Sequence, residues 1–124
     1  MSRFPVVTGT ADGSTVVELS GDIDLLTAPT VARCIDAVTR NPHPRVVLDL
    51  RPVTFMDCRG MSLLVRARRR IRERAGMLVV VTDDSRILRT MRTTGLLESF
   101  VVHSELRSAL AAVSSPLRNP AASA

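Results

Sequence analysis

Three observations predict a single α/β domain in which a mixed sheet carries helices packed on it. The chain opens with two runs rich in β-branched residues on either side of Asp12-Gly13. Short, almost wholly apolar runs, 45–50 and 77–81, then recur between amphipathic stretches. A length of 124 residues suits one compact core and leaves no room for a second. An opening hairpin followed by alternating strands and helices implies parallel central strands joined by right-handed helical crossovers.

Each element has a local reason. The runs 4–8 and 14–20 flank an Asp-Gly pair, and glycine accepts the positive φ that a tight hairpin needs. After Gly21-Asp22-Ile23-Asp24 the pattern changes. Thr27 is placed to cap a helix over 28–40, with Pro29 in the first turn, where its missing N–H costs nothing. Val31, Cys34, Ile35 and Val38 recur at helical spacing, and Asn41-Pro42-His43-Pro44 ends the run. The run 45–50 reads as a buried strand. A loop containing Pro52 then leads through Phe55-Met56 to Asp57, a helix cap. A helix over 59–75 follows, with Leu64, Val65, Ile71 and Ala75 for its inner side and Gly76 to close it. The run 77–81 is a second buried strand. Asp83 or Asp84 caps a helix that ends near Thr94-Gly95. A short strand over 100–102 and a last helix opened by Ser104 and Glu105 complete a domain over 4–113. From Ser114 to Ala124 the composition is that of a flexible tail.

Composition narrows the functional classes. No apolar run approaches the roughly 20 residues of a membrane span, and the first residues lack the apolar centre of a signal peptide. Membrane insertion is therefore not expected, and the cytoplasm is the expected location. Cys34 and Cys58 are the only cysteines and imply no disulfide in that compartment. His43 and His103 stand in no familiar ligand spacing with them, so neither a metal nor another cofactor is expected. The net charge is +5, and every basic residue is arginine. The densest cluster is Arg66, Arg68, Arg69, Arg70, Arg72 and Arg74. It reads first as a solvated helix face, with an acidic protein partner and a nucleic acid as the other readings. With no Trp or Tyr and three Phe, the chain has few rings to stack on bases, which weighs against direct nucleic-acid binding. Taken alone, Asp22, Asp24 and Asp57 suggest acid–base or metal chemistry, but no histidine lies near them in sequence. No glycine-rich phosphate loop follows a strand either, so an enzyme is not expected.

Three ordered segments carry a family resemblance. The stretch 17–24, followed by Thr27-Ala28-Pro29, resembles the approach to the first helix of STAS domains. The stretch 46–50, a short loop and Phe55-Met56-Asp57-Cys58-Arg59-Gly60-Met61 are similar to the family's apolar strand, loop and Asp-Ser-(Ser/Thr)-Gly-Leu signature. Thr94-Gly95-Leu96 with Phe100 resembles the end of its third helix. The resemblance is to the anti-sigma factor antagonist type and implies a STAS-like fold. It also implies a protein partner, an anti-sigma factor of the histidine-kinase-like serine kinase kind, with the chain itself a monomer or weak dimer.

In that family the second residue after the aspartate is the Ser or Thr that the anti-sigma factor phosphorylates. Here it is Arg59, which has no hydroxyl, so the usual phosphoryl switch is chemically impossible at this residue. Its charge near a helix N-terminus opposes the helix dipole by about 0.3–1 kcal/mol. Ser62, three residues on, is the nearest alternative hydroxyl. Cys58 stands at the helix start beside a guanidinium and is a candidate redox residue, while Cys34 belongs to an apolar helix face. The expected partner-binding residues are Asp22, Asp24, Asp57, Cys58, Arg59, Gly60, Met61 and Ser62. The alternative role for such a chain is a STAS structural subunit of a stressosome-like or lipid-transport assembly, since fold alone does not decide function.

Overall fold

The computed structural model describes residues 5–114. Phe4, and the expected tail over 115–124, lie outside the described residues. Ser114 is not part of a tail: it is the last residue of a helix, where its hydroxyl donates to the Leu110 carbonyl at 2.7 Å.

The expected hairpin is present as β1 (Val6–Ala11) and β2 (Ser14–Leu19), paired antiparallel. Its turn residues Asp12 and Gly13 both have positive φ, 53° and 80°, the conformation that favours this dipeptide in tight hairpins. A bend after β2 leads into β3 (Gly21–Ile23) and then α1 (Ala28–Val38). β4 (Arg45–Asp49), β5 (Val53–Met56) and α2 (Cys58–Glu73) follow. The chain continues through β6 (Met77–Val81), α3 (Ser85–Thr93), a 3-10 turn (Leu97–Ser99), β7 (Val101–His103) and α4 (Leu106–Ser114). The main sheet has the order β1-β2-β4-β6-β7, antiparallel only at its first pair. β3 and β5 form a separate two-stranded parallel sheet.

The two faces of the main sheet are covered unequally. On one side α1, α2 and α3 cover a core that includes Leu19, Ile35, Leu48, Leu64, Ile71 and Met91. On the other, Ala109 and Val113 of α4 pack on Val47, Val79 and Val81. Each fully buried Val, Leu or Ile contributes about 1.5–3 kcal/mol relative to exposure. β6 throughout, and β4 between its end residues Arg45 and Asp49, are apolar because both of their faces are covered.

The structure corrects several expectations. The stretches 21–23 and 53–56 are strands, where sequence reading places only a change of pattern and a loop. Val65 is half-buried and Ala75 exposed, so the inner side of α2 is carried by Met61, Leu63, Leu64, Ala67 and Ile71. Gly76 does not supply the left-handed residue that ends α2. Ala75 does, at φ 55°, and the Gly76 N–H closes the turn on the Ile71 carbonyl at 2.9 Å. Glycine is needed at 76 for another reason, because a Cβ there would collide with the Pro44 carbonyl and ring.

The arginine cluster on α2 is only partly a solvated face. Arg66 grips both carboxylate oxygens of Asp36 on α1, at 2.8 and 2.6 Å. Arg70 donates to the Thr39 hydroxyl at 2.7 Å and to the Asp36 carbonyl at 3.3 Å. The Arg68 guanidinium lies over the Phe100 ring, 5.7 Å from its centre. Arg69 and Arg72 are the exposed members.

Candidate functional site

Because β3 and β5 run parallel, they release the chain at the same end of the small sheet. Asp22 lies beside Phe55 and Ile23 beside Met56. β3 continues into the 24–27 turn and α1, and β5 continues through Asp57 into α2. Two helix starts and one turn are thereby brought together, tied by the Asp57 N–H donating to the Ile23 carbonyl at 3.4 Å.

The three acidic residues singled out in the sequence all act within this corner. The Asp24 carboxylate accepts from the backbone N–H groups of Leu26 (3.0 Å) and Thr27 (3.2 Å). Thr27 returns the bond: its hydroxyl oxygen accepts from the Asp24 N–H at 3.0 Å and lies 2.9 Å from the Asp22 carbonyl, to which it donates. Thr27 thus stands at the cap position of α1 without capping it through its side chain, which is turned back into the loop. Asp57 caps α2 as expected, accepting from Arg59 N–H at 2.9 Å and Gly60 N–H at 3.4 Å. The Asp22 carboxylate accepts from the Thr54 hydroxyl at 2.8 Å, which joins β3 to β5 a second time.

At the start of α2, Cys58, Arg59 and Ser62 are exposed. The Ser62 hydroxyl donates back to the Cys58 carbonyl at 3.0 Å. Among the described residues no ion pair is formed by the Arg59 side chain. Two of the expected contact residues lie beneath the surface rather than on it. Met61 is 5% exposed and belongs to the core, and Gly60 is buried against Met56, whose side chain occupies the place of a Cβ. Cys34 is half-buried as expected, and burial raises its thiol pKa.

Sequence reasoning puts residues around 22–26 and 57–62 on the contact surface but does not single out the apolar side chains of this corner. Leu25 is 61% exposed, Leu26 86% and Phe55 54%, all in or beside the joined turns. The signal was available: Leu25-Leu26 sits between a strand and a helix start, on no periodic face, where a solvated loop has no use for two leucines. Next to Phe55 a groove of about 270 Å³ runs to the start of α3, lined by Met56, Asp84, Arg86, Ile87 and Thr90. There Arg86, hydrogen-bonded to Asp84, holds that carboxyl below the usual carboxylate range and also reaches the Thr54 carbonyl at 3.5 Å. An apolar patch set among fixed polar loops and one free guanidinium is suited to binding another protein.

Comparison with known proteins agrees with the resemblance read from the three segments. The STAS domain model matches residues 5–109. The chain is 31% identical over 78 residues to an anti-sigma-B factor antagonist of Listeria monocytogenes, covering 63% of this chain and 68% of that one. It is 29% identical over 102 residues to the anti-sigma-F factor antagonist RsfB of Mycobacterium tuberculosis, covering 82% and 83%. Its fold superposes on the crystal structure of an anti-sigma factor antagonist from Mycobacterium paratuberculosis with a TM-score of 0.81 and 32% identity, over 89% of this chain and 93% of the other. With sequence and fold in agreement, the chain belongs to the STAS domain family.

Proposed function

We propose that this protein is an anti-sigma factor antagonist that works by binding alone, with no phosphoryl switch at residue 59. The observation that carries the reading is the exposure of Leu25, Leu26 and Phe55 at the corner where β3 and β5 end, with Arg59 exposed in the first turn of the helix that leaves it. The partner is an anti-sigma factor of the histidine-kinase-like kind, and the site of action is the cytoplasm, where sigma factors work. The three leading side chains bury apolar area on the partner, and Arg59 pairs with an acidic group there. The sigma factor is released by competition for that surface. Asp22, Asp24 and Asp57 shape the loops, each carboxylate already accepting hydrogen bonds from its own neighbourhood. That role supports a binder rather than an enzyme. Arginine at 59 makes the binder constitutive, since a phosphate at that place adds nearly two negative charges and arginine accepts none.

The test titrates the protein into complexes of candidate anti-sigma factors with their sigma factors, with and without ATP. Release of sigma is expected, unchanged by preincubation of the protein with anti-sigma factor and ATP. Arg59→Ser is expected to bind more weakly without ATP, because the ion pair to the partner is lost, to take up phosphate with it, and then to lose the remaining binding. Absence of release from every such complex would overturn the reading. Transfer of phosphate to Ser62 of the native protein, with loss of binding, would overturn its constitutive part.

A further inference from the structure

The strand β1 forms one edge of the main sheet, and no described strand covers its outer side. The direction of its backbone groups follows from the pairing. The Ser20 N–H donates to the Pro5 carbonyl at 2.9 Å, and antiparallel ladders alternate between bonded and non-bonded pairs. Val7↔Glu18, Gly9↔Val16 and Ala11↔Ser14 are therefore the bonded pairs, and Val6, Thr8 and Thr10 turn their N–H and C=O groups outward. Natural sheets protect such an edge with charge, proline, bulges or brevity. β1 has none of these within Val6–Ala11: it is six residues long, uncharged and regular in register. The opposite edge, β7, is only three residues long.

Gly9 is the second observation. Glycine weakens a strand interior and usually marks a bulge, a bend or the close approach of another backbone. Among the described residues nothing calls for it. Its φ is not positive, its pairing is regular, and a Cβ placed on it would meet nothing within 4 Å. Val7, on the same face of the strand, is 56% exposed.

We infer that β1 pairs antiparallel with β1 of a second copy of this chain, about a two-fold axis through Thr8. Residues paired across an antiparallel ladder share a face, so a two-fold axis must pass through a residue and not between two. Centring on Thr8 sets Thr8 opposite Thr8 and Val6 opposite Thr10, and so engages all the outward backbone groups. Centring on Gly9 would leave Val6 unpaired within the strand. The same register sets Val7 of each copy opposite Gly9 of the other, which gives the exposed valine a place free of side chain. No charge faces a like charge, because the strand has none. A strand of another, charged protein would gain nothing by electrostatics from this edge, whereas a second copy satisfies backbone, valine and glycine together. One unprotected edge per chain closes the assembly at two copies.

Sedimentation equilibrium of the full chain from micromolar to millimolar concentration tests this, together with amide exchange by NMR. Reversible dimerisation is expected, with concentration-dependent protection of the Val6, Thr8 and Thr10 amides. Thr8→Pro removes an outward N–H without touching the bonds to β2, and should weaken the dimer by roughly tenfold or more. Gly9→Val fills the place of the partner's valine and should also weaken the dimer, while the isolated monomer keeps or raises its Tm. A chain that stays monomeric throughout, or a dimer that tolerates both substitutions, would overturn the inference. So would association that continues beyond two copies.

Discussion

At its first turn α2 holds Cys58, Arg59 and Ser62 in solvent, and no acidic side chain among the described residues pairs with Arg59. About two turns on, the same helix locks Arg66 and Arg70 onto Asp36 of α1 and Thr39 just past its end. Residue type is identical and helical setting nearly so, yet one arginine is offered outward and two are used inward. The difference lies in what each faces. Arg66 and Arg70 look across to the second half of α1, where Asp36 and the last-turn carbonyls supply acceptors. Arg59 lies in the first turn of α2, next to where β3 and β5 end, and there Asp24 and Asp57 already accept from backbone N–H groups. A guanidinium is thus held as a clamp or left unpaired according to whether its neighbours have spent acceptors, which local sequence does not report.

The sharpest way to separate the two ends is to measure binding and folding on the same variants. Leu25→Asp combined with Leu26→Asp puts two charges into the exposed apolar patch beside Arg59. Partner affinity should fall by about 2–4 kcal/mol, the range of central contact residues. Unfolding free energy should stay within about 0.5 kcal/mol, because neither side chain is buried. Calorimetric titration and urea denaturation read the two quantities, and loss of folding stability without loss of affinity would place the patch inside the fold's own packing.

Gly60→Ala comes next and tests how the outward end is built. Alanine favours a helix over glycine by about 1 kcal/mol, so propensity alone predicts a gain. The new methyl would run into the Met56 side chain, and overpacking of this kind costs about 1–3 kcal/mol. A net loss of up to about 2 kcal/mol is expected by urea denaturation. Met56→Ala in the same chain should recover part of it, a coupling that a double-mutant cycle resolves. A simple gain in stability would show that α2 does not depend on close approach to β5.

These contrasts also explain what was legible in the sequence. The hairpin, β4, β6 and the helix start at Asp57 follow from Asp-Gly, uninterrupted apolar runs and a capping residue, each a signal within a few neighbours. β3 and β5 were not legible. At three and four residues they are too short for alternation to show, and each exists because the other is beside it. In the site, Arg59 stood out because it departs from the STAS pattern, and Cys58, Ser62 and Asp57 lie where the motif implied. Gly60 and Met61 share that motif but turn inward, since a helix start has an inner side that linear spacing does not mark. The Arg66 and Arg70 clamp was hidden for the same reason as β3–β5: its acceptors lie some thirty positions away.

Asp36→Asn addresses the inward end. The hydrogen bonds from Arg66, joined by the charges of Arg66 and Arg70, hold the Asp36 carboxyl below the usual carboxylate range. The pair is partly exposed, so screening limits the expected loss to about 1 kcal/mol near neutral pH. Its pH dependence has a definite sign. A carboxyl whose folded pKa is depressed contributes fully above its unfolded value of about 3.9, and the contribution is lost as pH falls through the folded value. The difference between wild type and Asp36→Asn should therefore be flat from neutral pH to about 5 and shrink only below about 4. A difference that instead shrinks around neutral pH would mean that another group carries the clamp.

Arg72→Ala should do least, and that is its use. Arg72 stands on the same half of α2 as the clamp, but it is exposed and forms no ion pair among the described residues. If position on the helix set the role of an arginine, its loss would resemble that of Asp36. If the facing acceptor sets the role, stability should change by less than about 0.5 kcal/mol. Partner affinity should not change either, because Arg72 lies more than three turns of helix from Arg59. A loss above 1 kcal/mol in urea denaturation, well beyond the roughly 0.5 kcal/mol typical of surface sites, would extend the clamp to the whole arginine cluster and make the contrast one of helix halves rather than of individual neighbours.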